Sequence, residues 1–200
     1  MSGAPDTAPV HPLWLRIAHW ANALAVIILV CSGWRIYNAS PIWPFRFPDG
    51  VTLGGWLGGA LLWHFAAMWL LLAAGVAYLL LNAVSGRWRR RFWPLRPREV
   101  LRDLAAALRG RLSHADPAHY NAVQKLAYVA VVLDLVLVVL SGLVVWKSVQ
   151  FPLLRQLMGG YDTARIVHFL AMAALVVFFL LHLIMVILVP RTLRYMTRGR

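Results

Sequence analysis

Four apolar stretches constrain this chain more than any other feature. They fall at residues 13–37, 54–84, 121–146 and 161–189. Each offers the roughly 20 apolar residues that a bilayer's hydrocarbon core asks of a spanning helix. In that core every backbone N–H and C=O must be satisfied within the protein, and long apolar runs meet this demand as helices. The expected fold is therefore all-α: an integral membrane four-helix bundle, with the lipid bilayer as first partner. Residues 1–12 read as a Pro-rich flexible tail and 13–190 as the transmembrane domain. A loop is expected at about residues 85–120, and a basic tail at 191–200, with Pro190 ending the fourth helix. The polar start and the long first apolar run argue against a cleavable signal peptide.

The formal net charge of +13 looks at first like a preference for nucleic acid. Its placement says otherwise. Arg87, Arg89, Arg90, Arg91, Arg96, Arg98, Arg102, Arg109 and Arg111 share the central loop, and Arg191, Arg194, Arg198 and Arg200 lie in the tail. With four spans, that loop and both termini fall on one side, and the Lys/Arg excess marks it as cytoplasmic. The opposite side carries Arg35, Arg46, Lys147, Arg155 and Arg165. The basic excess is thus a topology signal, and no nucleic-acid partner is expected. Cys31 is the only cysteine, which excludes an internal disulfide and cysteine-ligated zinc or iron–sulfur sites. Within the loop, Val100, Leu101, Leu104 and Leu108 share one face of a short basic helix expected at 97–109. It would lie on the inner membrane surface or pack on the bundle.

The sequence also repeats. A shift of 109 residues lays the first span on the third: Arg16 meets Lys125, Ala18 meets Ala127, His19 meets Tyr128, and Ser32 and Gly33 meet Ser141 and Gly142. A shift of 104 lays the second on the fourth: His64 and Phe65 meet His168 and Phe169, Ala67 and Met68 meet Ala171 and Met172, and Tyr78 meets His182. One helical hairpin is used twice, a parallel repeat about an axis along the membrane normal.

Of seven histidines, His11, His114 and His119 lie outside the spans and read as solvated loop residues. His19, His64, His168 and His182 lie inside, where an ionisable group is costly and points to function. Their depths match in pairs. His19 is seven residues from Pro12 and His182 eight from Pro190, both near the inner side. His64 is ten residues from Gly54 and His168 eight from Gly160, both near the outer side. His168 and His182 are 14 residues apart, which is about 21 Å of rise and only some 40° around the helix. Both rings therefore face one side of the bundle at two heights. The repeat maps the outer pair, His64 with His168, onto itself. It sends the inner pair, His19 with His182, onto Tyr128 and Tyr78, a position expected to hold no cofactor.

Zinc wants four close ligands, usually with cysteine or carboxylate. Two separated histidine pairs suit haem iron instead, because the porphyrin already supplies four nitrogens and only axial places are open. Two imidazoles fill both, so the iron carries electrons rather than binding substrate. The expected cofactors are two haem b groups, ligated by His64 and His168 and by His19 and His182.

At this point the chain resembles the bacterial di-haem cytochromes b. These include bacterial cytochrome b561, the cytochrome b subunit of nickel-iron hydrogenases and the gamma subunit of formate dehydrogenase. The resemblance spans residues 12–190. It rests on His19 between Ala18 and Trp20, His64 between Trp63 and Phe65, and His168 and His182 at a spacing of 14. It implies the same ligand pairs, a quinone site near the inner haem and a periplasmic redox partner. The central basic loop is long for the simplest members.

Arg35, Lys147 and Arg165 lie near the outer surface, where they suit haem propionates or headgroups equally. Arg16 and Lys125 invite the same reading inside, as propionate or quinone contacts. Asp134, central in the third span, is expected to be protonated and hydrogen-bonded, with a proton-path role as the functional option. The loop of Trp43, Phe45, Arg46 and Phe47 suits a docking surface or an interfacial aromatic belt. The leading functional reading is an electron-transfer subunit linking the quinone pool to a periplasmic molybdopterin enzyme or hydrogenase. The alternatives are a stand-alone superoxide:quinone oxidoreductase drawing on the basic outer surface, and a non-redox membrane anchor. An oligomer is compatible with each.

Overall fold

The computed structural model describes residues 11–86, 98, 102, 105 and 122–199. Six α-helices order these residues: α1 Leu13–Ala39, α2 Leu57–Val84, α3 Ala122–Trp146, α4 Pro152–Leu157, α5 Tyr161–Leu188 and α6 Arg191–Arg198. No strand occurs among the described residues. Helices α1, α2, α3 and α5 are long and apolar enough to cross a membrane, as the four apolar stretches required. Residues 1–10 of the expected tail, His114, His119 and most of the arginine-rich loop lie outside the described residues; of the helix expected at 97–109, residues 98, 102 and 105 are described, and each is helical.

The chain divides into two compact units. The first comprises Met1–Arg87 with Val189–Arg200, and the second Trp88–Leu188. Each contains one helical hairpin, α1 with α2 and α3 with α5. In the first hairpin, Ala18, Ala25 and Ser32 recur every seven residues on α1 and are buried, as are Ala60, Ala67 and Leu71 on α2. In the second, Ser141 and Val144 on α3 and Ala164, Ala171 and Leu175 on α5 are buried. The shift of 104 carries Ala60, Ala67 and Leu71 onto Ala164, Ala171 and Leu175, so the repeat extends to the packed positions. Lipid is as apolar as leucine and gives little drive for helix association, so small residues that let backbones approach supply the contact. The large apolar side chains face outward: Leu62, Trp69, Leu180 and Ile187 are exposed, as a lipid-facing surface demands.

The loop between α1 and α2 folds back on itself. Asn38 receives a bond from the Phe47 amide and donates to the Phe47 carbonyl, each at 2.8 Å. Phe47 stacks on Trp34 at 4.7 Å between ring centroids, and Tyr37 lies 5.1 Å from Phe45. Helix α2 starts three residues later than the expected residue 54. Gly54 and Gly55 have φ of 108° and 71°, outside helical space. A Cβ on Gly54 would also meet the Ala60 nitrogen at 2.4 Å.

Two short helices were not expected. Helix α4 breaks the second outer loop, with Pro152 at its first position, where a missing N–H costs nothing. Helix α6 replaces the expected plain tail. Pro190 does end α5, but its own φ of −65° and ψ of −14° are helical, so the chain turns there and coils again. Gly199, at φ 81°, closes α6 by bonding the Tyr195 carbonyl. Within the first unit, α1 grips this last turn. Arg16 Nη1 donates to the Thr197 carbonyl at 2.9 Å, and Trp20 Nε1 donates to the Met196 carbonyl at 3.3 Å.

Candidate functional site

Each hairpin builds the same frame around one histidine. In the first, Ser32 on α1 is fully buried, and its Oγ lies 2.6 Å from the Ile28 carbonyl and 3.0 Å from His64 Nδ1 on α2. A hydroxyl has one proton to give, and a carbonyl can only accept. Ser32 therefore donates to Ile28, and His64 donates Nδ1–H to Ser32. That choice fixes the tautomer, and in it Nε2 carries the lone pair. Gly33 lies beside the same ring: a Cβ there would stand 3.5 Å from His64 Cε1.

The second hairpin repeats this with a firmer constraint. Ser141 Oγ lies 2.6 Å from the Leu137 carbonyl and 3.1 Å from His168 Nδ1. His168 Nδ1 also lies 3.0 Å from the Val138 carbonyl. Because the carbonyl only accepts, Nδ1 must carry the proton, and Nε2 again carries the lone pair. A Cβ on Gly142 would stand 3.1 Å from His168 Cε1, closer than in the first hairpin. The sequence repeat had matched Ser32 and Gly33 with Ser141 and Gly142 without giving them a task. In the structure each of these residues lies against the histidine of its own hairpin, His64 or His168.

His182 and His19 each have aromatic company. His182 stacks with Phe178 one turn earlier, ring centroids 6.1 Å apart and planes 9° from parallel. His19 meets Trp20 edge-on at 5.4 Å. His19 and His64 belong to the first unit, His168 and His182 to the second.

The cationic candidates have varied surroundings. Arg35, near the end of α1, forms an ion pair with Asp49 in the α1–α2 loop. The Lys147 ammonium lies 4.7 Å over the Trp146 ring. Arg16 is committed to α6 through Thr197. Arg165 is half-buried, four residues past the start of α5. Asp134 is half-buried on α3, at the place that the repeat equates with fully buried Ala25 on α1.

The donor set of the two frames fits a haem iron. Imidazole binds metal through a lone-pair nitrogen, and the other nitrogen, bonded to an acceptor, sets ring orientation and basicity. A serine bonds that second nitrogen on each of two histidines, and at His168 the absence of a side chain on Gly142 avoids a tight 3.1 Å contact with the ring.

The fold defines a multi-pass membrane protein with histidines inside its spans. The chain belongs to the prokaryotic cytochrome b561 family, whose model matches residues 10–199. It is accordingly a membrane b-type cytochrome, an electron-transfer protein that uses b-type haem. It is 60% identical over 190 residues to a putative protein-methionine-sulfoxide reductase subunit, YedZ1, of Azospira oryzae, covering 95% of this chain and 96% of that protein. No solved structure matches the chain.

Proposed function

We propose that this chain is the di-haem membrane subunit of a periplasmic protein-methionine-sulfoxide reductase, and that it delivers electrons from the quinone pool to a soluble catalytic partner. Full-length similarity to a subunit so described supports the partner class. Reduction of a sulfoxide to a thioether and water consumes two electrons and two protons, so electrons flow from quinol outward. A soluble catalytic subunit that repairs secreted proteins works on the periplasmic side, and the arginine distribution supports both termini in the cytoplasm.

The Ser–Nδ1 bond shared by His64 and His168 is the observation that carries their assignment as ligands, and their matched depths in the sequence support His19 and His182. His64 and His168 hold the outer haem, and His19 and His182 the inner one. Haem b, when bound by two imidazoles, supplies a one-electron carrier with no open place for substrate. The chain's own residues do the rest. The serines keep Nδ1 protonated, the glycines give the rings clearance, and the apolar helices exclude water, which favours a centre of low net charge. The superoxide reading has no observation of its own, and the Arg35–Asp49 pair weakens the basic outer surface it draws on.

The test is a haem count on the purified protein with its ligand variants. Two low-spin haems per chain are expected. His64→Ala and His168→Ala should each lose the same haem, and His19→Ala and His182→Ala the other. One haem or none in the parent protein, or crossed losses, would overturn the assignment. Reoxidation of the quinol-reduced protein by the sulfoxide reductase with its substrate tests the partner. No reoxidation beyond that seen without the partner would exclude it.

A further inference from the structure

We infer that Ser32 and Ser141 are positioning residues that set the reduction potential of the outer haem, acting through His64 and His168. This rests on the ligand assignment above and adds to it two residues outside the ligand set.

The two serines are on different helices of different hairpins, yet their bonding is superimposable. Each hydroxyl gives its proton to the carbonyl four residues earlier, at 2.6 Å in both cases. That leaves the oxygen lone pairs directed at imidazole Nδ1, at 3.0 Å and 3.1 Å. A serine hydroxyl that only satisfied itself would need nothing beyond its own helix, since bonding to the i−4 carbonyl is its usual refuge. Here each serine does this and also accepts from a histidine. Both serines are fully buried, so water does not compete for the bond.

Nδ1–H donation has an electronic consequence. An imidazole that shares its proton with an acceptor is a stronger σ-donor through Nε2, and a stronger donor favours the oxidised iron. Polarisation adds to this: a hydroxyl oxygen whose own proton is held by a carbonyl is a better acceptor than an isolated one. Each serine therefore pulls the outer haem toward a lower potential than an unassisted bis-imidazole site in the same apolar surroundings. Both proposed ligands of the outer haem carry the same device. At His168 the Val138 carbonyl is a second acceptor on the same nitrogen, so the tautomer there survives loss of the hydroxyl.

Ser32→Ala and Ser141→Ala, with Ser32→Thr and Ser141→Thr as hydroxyl-retaining controls, test this by optical redox titration and low-temperature electron paramagnetic resonance. Each alanine variant is expected to keep two haems. Each should shift the reduced-to-oxidised ratio of one haem roughly three- to tenfold toward reduced at fixed ambient potential, about 30–60 mV upward for a one-electron couple. Both variants should move the same haem, the one lost in His64→Ala, and leave the other at its parent potential. The threonine variants should lie nearer the parent than the alanines do. Loss of the outer haem alone in an alanine variant also supports the inference, with the threonine variants then carrying the potential measurement. Unchanged potentials and resonance spectra in both alanine variants, or loss of both haems together, would overturn it and reduce the serines to packing. If His64→Ala itself retains both haems, the ligand assignment has failed rather than this inference.

Discussion

His64 and His168 hold the same register: each stands seven residues beyond the first residue of its helix, Leu57 for α2 and Tyr161 for α5. At about 1.5 Å per residue that is roughly 10 Å along each helix. Counted from the expected residue 54, His64 had seemed deeper than its partner. The late start of α2, forced by Gly54 and Gly55, removes the discrepancy. Equal register within each hairpin supports the proposed pairing of these two histidines as ligands.

Gly142 and Gly33 differ in how much room they leave, and that difference predicts a ranking. Alanine at Gly33 would meet His64 Cε1 at an ordinary 3.5 Å, whereas alanine at Gly142 would meet His168 Cε1 at a tight 3.1 Å. Gly33→Ala should leave haem content near the parent value, helped by alanine's better helix propensity, worth roughly 0.5–1 kcal/mol. Gly142→Ala should displace the ring by a few tenths of an ångström and lower outer-haem retention several-fold after purification. Pyridine haemochrome assays measure both, and equal retention would refute the ranking.

Arg16 and Trp20 anchor α6, so their loss should free the C-terminal turn. A bond from a charged donor contributes about 1.5–3 kcal/mol and a neutral one about 0.5–1.5 kcal/mol. Trp20 Nε1, at 3.3 Å, belongs at the weak end. Arg16→Ala should speed amide exchange across residues 195–199 by ten-fold or more, and Trp20→Phe by only a few-fold. Exchange mass spectrometry on the full chain in detergent or nanodiscs reads this. Unchanged protection in Arg16→Ala would mean that α6 is held by other contacts.

Asn38 clamps the α1–α2 loop through both polar groups of Phe47. Asn38→Ala should destabilise the loop by roughly 1–3 kcal/mol, the cost of removing partners from half-buried backbone groups. Asn38→Asp keeps the acceptor for the Phe47 amide and sets a carboxylate against its carbonyl, so it should rescue little. Limited proteolysis of the loop, followed by mass mapping, separates the variants from the parent. A parent-like cleavage rate in Asn38→Ala would show that the Phe47–Trp34 stack suffices alone.

The Arg35–Asp49 pair should matter much less. Asp49 is 84% exposed, and a solvent-facing ion pair contributes about 0–1 kcal/mol. Asp49→Asn should change the thermal midpoint by no more than a few degrees, and added salt should shrink even that. A large loss would assign the pair a structural role that its exposure does not support.

The four spans were legible because each apolar run exceeds what a bilayer requires, and nothing else fits such runs. The hairpin repeat was legible because the residues that recur, Ala67 with Ala171 and Ser32 with Ser141, are those that pack. What escaped lies at the ends of helices and between them. Two positive-φ glycines shift the start of α2, and a glycine in sequence does not declare its φ. Helix α6 escaped because Pro190 reads as a stop, and eight residues with Arg191, Arg194 and Arg198 read as tail when the α1 side chains that hold them are 176 and 181 residues away. The serine locks escaped for the same reason. Their partners are 32 and 27 residues distant, and only helix packing brings an oxygen to an imidazole nitrogen.

The lock on each outer histidine is complete inside a single hairpin. Nothing in it waits for the other half of the protein. During insertion, the first hairpin can therefore emerge with its imidazole already oriented, well before the second has been synthesised. The ordering cost of each imidazole is then met by helix pairing within its own hairpin rather than drawn from cofactor affinity.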